Sequence, residues 1–553
     1  MTPSFKRLAL ASIAIWTLAA APVASAGGMI ALSGDPVATS GGKVAGTRLA
    51  SGVKAYLGIP YAKSPTQDLR WRAPQATSWD GVWNADRKGA ECIQVLRPHD
   101  INHYFGEEPS SEDCLYMNIW APPQAKAGAG LPVVVFIYGG GGTIGSSGMA
   151  NYDGENMARR GAIFVNFNYR VGLLGYLAHP ELTKEQGGHS GNYGYLDQSA
   201  ALKWIKDNIA AFGGDPDKVV ISGQSFGAGS VAAQVTSPLS KGLFRGAVMM
   251  SACNLTGPLA PLSEGEAAGL ELQKRLGAAD LAALRNIPAD RILAVQSENQ
   301  VGVNVRGVRA PAIVDGLFWT EGHEAALASG KVSNVPIIAS SNGDDIDAGQ
   351  SPLTRTHTMA EYQETARKMY GADADSFLKL FPVKTDADVQ PMAHAAAMEN
   401  GMLKSSRTCG VAQEKFGGVP TFVSAFMHKH PYAPGLKLAD QDVATVGAYH
   451  TADVPYWFDT LDNYNKFRVT RVPTQTDRTL IDQMSGSLIA MAETGSPSTK
   501  AMAWPAWTSK APQYLVIGDT PVVQKMNVKR MDWLAAHPAA QVGPAPVQPR
   551  VRD

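Results

Sequence analysis

A chain of 553 residues with 45% apolar side chains is ordinary for a globular protein with a large buried core. Its 49 Lys and Arg balance 49 Asp and Glu, so there is no basic stripe for nucleic acid and no acidic tail. The 56 glycines and 35 prolines are scattered, a pattern of many tight loops and not of low complexity.

The N-terminal segment reads as a processing signal. Lys6-Arg7 precede an apolar run from Leu8 to Ala21, and Ala24-Ser25-Ala26 forms an Ala-x-Ala cleavage site before Gly27. A cleaved signal peptide over residues 1–26 is therefore expected, with a secreted or periplasmic mature protein. An uncleaved anchor is the alternative, but the run is short for a span, so no stable membrane insertion is expected. Residues 27–534 read as one catalytic domain, and 535–553 as an Ala/Pro-rich disordered tail.

Along the mature chain, Gly42–Gly46 and Val53–Ala62 interleave apolar and polar residues, as early antiparallel strands do. Leu69–Trp71 and Trp79–Trp83 are aromatic-rich and loop-like. Ser111–Trp120 is a further strand, and Leu131–Tyr138 has the unbroken apolar run of a central strand covered on both faces. Gly139-Gly140-Gly141-Gly142 follow directly. A glycine run after a buried strand is either a flexible loop or a backbone whose N–H groups face a cleft, and its place ahead of Ser225 favours the second. Ala162–Tyr169 is another buried strand. A helix opens near Asn192 with Ala201, Leu202, Trp204, Ile205 and Ile209 at helical spacing, and Gly213–Pro216 reads as a turn.

Val219-Val220-Ile221 then runs into Gly223-Gln224-Ser225-Phe226-Gly227, followed by the small apolar stretch Ala228–Val235. Gly-x-Ser-x-Gly alone is a weak signal, but between a strand and a helix it is a nucleophile elbow, with glycines where a Cβ would strike the neighbouring strand or helix. Later strands are expected at 247–250, 335–339, 422–426 and 513–517, with helices at 264–276, 360–370 and 402–416 between them. Strands alternating with helices make this an α/β protein built on a mostly parallel, twisted sheet.

A serine hydroxyl needs a base, and the base needs a carboxylate. His450 stands in a Gly-entered loop before an aromatic segment, with His428 and His430 as structural competitors. Asp344, Asp345 and Asp347 follow the strand at 335–339, and spacing does not choose among them. Cys92 and Cys114 bracket a polar loop that their pairing would clamp. Cys253 and Cys409 stay open between a second bond and two buried thiols, because sequence cannot fix connectivity.

From about Gly42 to Ile517 the chain resembles the type-B carboxylesterases of the α/β-hydrolase superfamily, a group with cholinesterases, fungal lipases and bacterial p-nitrobenzyl esterases. The landmarks are Gly58-Ile59-Pro60-Tyr61-Ala62, Glu112-Asp113-Cys114-Leu115-Tyr116-Met117-Asn118, Tyr138-Gly139-Gly140-Gly141, Asn168-Tyr169-Arg170-Val171-Gly172, Leu196-Asp197-Gln198 and the elbow. The resemblance implies an α/β-hydrolase fold with helical insertions forming the pocket. It implies Ser225 as nucleophile, His450 as base and Asp345 as acid. It also implies an oxyanion hole from the backbone of Gly140, Gly141 and Phe226, a Cys92–Cys114 disulfide, and buried Arg70–Glu112 and Arg170–Asp197 pairs. Departures from the pattern are Asp345 for Glu, Ile346 for Gly, Gln224 for Glu, Phe226 for Ala and Gly142 for an aromatic. Phe226 gains bulk where Gly142 loses it, which predicts an altered substrate shape with the chemistry kept.

The expected reaction is hydrolysis of a small-molecule carboxylic ester through an acyl-enzyme, with no metal and no other cofactor. Activity should fall as the imidazole protonates on acidification. A cation cage would need more aromatics than Tyr104 and Phe105 in the Cys92–Cys114 loop, and a lipase lid would not carry Asp100, Glu107 and Glu108. A lipase acting on longer chains and an inactive binding protein of the same fold are the alternative readings, and the second is disfavoured by the complete triad. Oligomeric state and the natural ester are left open.

Overall fold

The computed structural model describes residues 30–32, 34–95, 102, 109–297 and 308–540. The signal segment expected over 1–26 lies outside them, as do residues 96–101 and 103–108, on which the cage and lid readings rest.

Among the described residues, twelve strands form one sheet. In chain order they are β1 (Ile30–Ala31), β2 (Thr47–Arg48), β3 (Lys54–Pro60), β4 (Tyr116–Ala121), β5 (Leu131–Ile137) and β6 (Ile163–Phe167), then β7 (Gly214–Gln224), β8 (Gly246–Met250), β9 (Ile337–Asn342), β10 (Thr421–Phe426), β11 (Gln513–Ile517) and β12 (Pro521–Lys525). Across the sheet the order is β1-β2-β3-β4-β6-β5-β7-β8-β9-β10-β11-β12. The centre, from β6 to β11, is parallel throughout. Antiparallel strands close both edges.

The central strands are apolar because both faces of the sheet are covered. Successive side chains point to opposite faces, yet Val133 to Ile137 on β5 and Ile163 to Phe167 on β6 are all buried. Each large apolar side chain so buried contributes about 1.5–3 kcal/mol. Helices α1 (Tyr193–Asn208), α2 (Phe226–Thr236), α3 (Met402–Ala412) and α4 (Gln475–Thr494) supply cover. Of these, α2 packs on β7 and β8, α3 on β9 and β10, and α4 on β5 and β7. The asparagines on β4 and β6 are satisfied. Asn118 Nδ2 donates to Asn166 Oδ1 at 2.9 Å, Asn118 Oδ1 accepts from the Gly58 amide at 3.0 Å, and Asn166 Nδ2 donates to Tyr152 O at 2.8 Å.

Two departures of the structure from local expectation lie ahead of the elbow. The aromatic stretch around Trp79 and Trp83 is not only loop: Val82–Asn84 pairs with Lys43–Ala45 in a separate three-stranded sheet. Distant acceptors hold it there, since the Trp79 indole donates to Lys43 O and the Trp83 indole to Gly58 O, both at 2.9 Å. The turn expected at Gly213–Pro216 is instead the irregular start of β7, where Gly214 pairs with Leu131 and the register shifts before Val133.

The long excursions after β9 are helical. Met359–Tyr370, Ala374–Leu380 and Val389–Asn400 bury a small core of their own, with Tyr362, Phe377, Phe381 and Val389 at its centre and Leu534 reaching in from the C-terminal helix. That last helix, Val528–Ala536, runs past the boundary expected at residue 535, and the Ala540 amide donates to Met369 O at 2.8 Å. Residues 541–553 of the expected tail lie outside the described residues.

Two cross-links and two ion pairs tie loops to this frame. Cys92 bonds Cys114, and Cys253 bonds Cys409 across a separation of 156 residues, so the second pair is a disulfide too. Arg70 meets Glu112 in a two-pronged pair, and its Nη1 also donates to Arg285 O at 2.7 Å. Arg170 grips Asp197 through Nε at 2.8 Å and Nη2 at 2.7 Å, with both side chains buried. Replacing one partner of a buried pair leaves the other charge uncompensated, at a cost of about 3–5 kcal/mol. Arg170→Met should therefore lower the stability read from urea unfolding by about that amount. A variant within about 1 kcal/mol of the parent would mean that Asp197 finds other support.

Candidate active site

The parallel register lines up the carboxyl ends of the central strands. Gln224 at the end of β7 pairs with Met250 on β8, Met250 with Ser340 on β9, and Asn342 with Phe426 on β10. Chain leaving these ends collects at one edge, where open α/β sheets present their functional groups.

Ser225 stands on the turn between β7 and α2 with φ 57° and ψ −123°, a region that costs a non-glycine residue about 1–3 kcal/mol. Its neighbours make the turn possible. A Cβ on Gly223 would strike the Gly227 carbonyl, and one on Gly227 would strike the carbonyl of Ile137. The turn is pinned by the Ser225 amide, which donates to Met250 O at 2.8 Å. Strand, sharp turn and helix are thus the setting that the Gly-x-Ser-x-Gly motif requires.

His450 comes to the same edge. Its Nδ1 is hydrogen-bonded to Asp345 Oδ1, and its Nε2 is buried without a hydrogen-bond partner among the described residues. Asp345 is 2% exposed and is held by the Ile346 amide on Oδ1 at 2.9 Å and the Asn342 amide on Oδ2 at 3.1 Å. The other two carboxylates are occupied elsewhere. Asp344 faces His394 at 2.5 Å and accepts the Gly447 amide at 2.6 Å, so it braces the loop that carries His450. Asp347 accepts the Met402 amide at 3.0 Å. Burial, and then the charge of Asp345, push its carboxyl up to about 6.

His428 and His430 are structural. His428 lies between Asp477 at 3.0 Å and Asp519 at 2.6 Å. His430 is enclosed by Arg471, Tyr449 and the Ala452 carbonyl, and burial drives it well below the usual imidazole range.

The glycine run turns back on itself beside the serine. Gly140, Gly141 and Gly142 have φ of 104°, 63° and 72°, which L side chains adopt rarely. Gly140 O accepts the amides of Thr143 and Ile144 at 3.1 and 3.2 Å. A Cβ on Gly139 would lie 3.0 Å from Ser225 Cβ, so the backbone approaches the serine closely. The amides of Gly140, Gly141 and Phe226 have no protein acceptor among the described residues.

Phe226 occupies the space that a side chain at position 142 would need: a Cβ there would lie 2.7 Å from Phe226 Cε2 and Cζ. The exchange of bulk expected between these two positions is therefore a direct steric one. The ring stacks on Tyr195 at 5.9 Å and meets Tyr176 edge-on at 5.7 Å, and Tyr195 in turn stacks on Phe318 at 5.3 Å.

The carboxylesterase family model matches residues 33–533. The chain belongs to the carboxylesterase family. Para-nitrobenzyl esterase of Bacillus subtilis (strain 168) is 30% identical over 482 residues, covering 86% of this chain and 93% of that esterase. Fumonisin B1 esterase of Sphingopyxis macrogoltabida is 40% identical over 341 residues, a match that spans 61% of each protein. The solved structure of a PNB esterase superposes with a TM-score of 0.69 at 27% identity, over 90% of this chain and 99% of that one. Matched over 93% of the Bacillus subtilis esterase and 99% of the solved PNB esterase, this carboxylesterase is a carboxylic ester hydrolase with the α/β-hydrolase fold.

Sequence reasoning did not reach the residues that hold the His450 main chain. Its carbonyl accepts from Gln224 Nε2 at 2.7 Å, Ser251 Oγ at 3.1 Å and Asn342 Nδ2 at 3.1 Å. The available signal was the polar end of two apolar strands, Met250-Ser251 and Ser341-Asn342.

Two variants test this geometry. The folded Asp347 carboxyl, raised to about 6 from 3.8, keeps its proton where the unfolded chain would lose it. Its contribution is thus complete below about pH 4 and is lost as pH rises through about 6. Asp347→Asn should gain stability over the parent across that window, reaching about 2 kcal/mol at neutral pH by thermal unfolding. A gain independent of pH would point to packing instead. Phe226→Ala should raise kcat/KM for esters with bulky acyl groups relative to acetates by about tenfold. An unchanged ratio would place the ring outside the substrate's path.

Proposed function

We propose that this esterase works through a Ser225–His450–Asp345 triad and a covalent acyl-enzyme. One observation carries the reading: the His450 imidazole is bound through Nδ1 to a buried carboxylate, with Nε2 left unpartnered at the edge where Ser225 stands strained. A carboxylate on Nδ1 fixes the tautomer in which Nε2 is the free base.

In the first step Nε2 takes the Ser225 proton as Oγ attacks the ester carbonyl. The tetrahedral oxyanion is held by the amides of Gly140, Gly141 and Phe226, which supply donors that need not be reoriented during reaction. The Phe226 amide adds the positive end of α2. Collapse expels the alcohol with the proton from His450, leaving the acyl group on Ser225. Water then enters, gives its proton to Nε2 and attacks the acyl carbon, and the acid leaves as Ser225 is reprotonated. Asp345 stabilises the imidazolium at both stages. One methylene shorter than Glu, it is braced by two backbone amides and by the Asp344 contact to the Gly447 amide, which draws the histidine loop in.

The substrate is a small-molecule ester whose apolar part lies against Phe226, and the folded enzyme works outside the reducing cytosol. Two disulfides support that compartment, because cytosolic thiols are kept reduced.

Ser225→Ala should abolish the burst of alcohol release and reduce kcat for p-nitrophenyl esters by about 10⁴-fold or more, with the melting temperature kept, since alanine retains the Cβ and the same strained backbone. Full turnover by the alanine variant would remove Ser225 from the chemistry. Mass spectrometry after reaction with a fluorophosphonate should place the adduct on residue 225.

A further inference from the structure

The His450 main chain is fastened to the ends of three neighbouring strands at one atom. Gln224 closes β7, Ser251 follows β8 directly, and Asn342 closes β9; all three side chains donate to the His450 carbonyl. Ser251, with φ 56°, is itself held in the left-handed region. Asn342 Nδ2 is shared further, with Ser251 Oγ at 2.9 Å and Asp453 Oδ1 at 3.2 Å. Gln224 makes the shortest of the three contacts and is 2% exposed, so water does not replace its donor.

We propose that Gln224 is a positioning residue whose carboxamide N–H, by holding the His450 carbonyl, sets where the imidazole lies relative to the neighbouring Ser225. The proposal rests on the triad reading above. Position 224 must then supply a donor. A carbonyl oxygen is an acceptor only, and an ionised carboxylate has none to give. In this chain a Glu at 224 would set two acceptors against each other at a buried contact, although Glu is the closest match to Gln in size. Because Gln224 and Ser225 are consecutive, the clamp also links base and nucleophile through a single peptide unit, the shortest path the topology offers.

The test compares Gln224→Glu and Gln224→Met with the parent in the full-length enzyme, using a soluble p-nitrophenyl ester from about pH 8 to about pH 5. Gln224→Glu should lose at least about tenfold in kcat at neutral pH, with KM changed by less than about threefold. The ratio of variant to parent kcat should climb on acidification, as the introduced carboxyl gains a proton and can donate. His450, Asp345 and Asp453 also face this contact, and Gln224→Met, which adds no charge there, is the control for their effect on the ratio. Gln224→Met should lose kcat by a smaller factor that does not change with pH. A ratio for Gln224→Glu that is flat with pH, or parent-like kcat in either variant, overturns the proposal. If Gln224→Glu does not fold, Gln224→Met decides: lowered kcat with parent KM and melting temperature supports the clamp, and parent kcat refutes it. Ser225→Ala and His450→Ala are run alongside. If these two abolish turnover while the Gln224 variants do not, the clamp alone fails. If they leave turnover intact, the triad reading fails.

Discussion

The site depends first on a backbone conformation that the chain would not adopt unaided. Ser225 sits at positive φ where β7 gives way to α2, and it stays there because the residues on either side have no Cβ and because the sheet holds the turn by the Met250 carbonyl. The strain is small beside the burial of β5, β6 and β7 that surrounds it. A rigid parallel centre can therefore hold one unfavourable residue at its edge without yielding.

The rest of the site is built by carrying distant chain to that edge. The carboxyl ends of β7, β8 and β9 lie side by side, so Gln224, Ser251 and Asn342 face one loop although they are far apart in sequence. The loop between β10 and α4 brings His450, and the turn after β9 brings Asp345. Neighbouring carboxylates divide the work: Asp345 meets the imidazole, Asp344 holds the loop, and Asp347 anchors the start of α3. Such a division keeps three nearby acidic groups from competing for one partner, and the group without a compensating charge shows it in a raised pKa.

The surroundings of Ser225 follow from a local exchange. Phe226 stands where the glycine run leaves room, and the aromatic residues Tyr176 and Tyr195 hold its ring. The space beside Ser225 is thus shaped by one side chain and by the absence of another.

The amino-acid sequence by itself determined the α/β class, the central strands, the elbow and the family, because each is carried by a local pattern: unbroken apolar runs, glycines at fixed offsets, and short motifs in a fixed order. It also offered Ser225 and His450 as candidates, since both lie in such motifs. Only the tertiary structure decided which of Asp344, Asp345 and Asp347 faces the imidazole, that Cys253 and Cys409 pair, and that the stretch before Asn84 joins a second sheet. It alone showed Gln224 holding the histidine loop. These facts depend on the register of strands and on loops that meet across more than a hundred residues of chain. Nothing in the spacing of three neighbouring aspartates, or of two distant cysteines, encodes the distance between side chains that a folded sheet imposes.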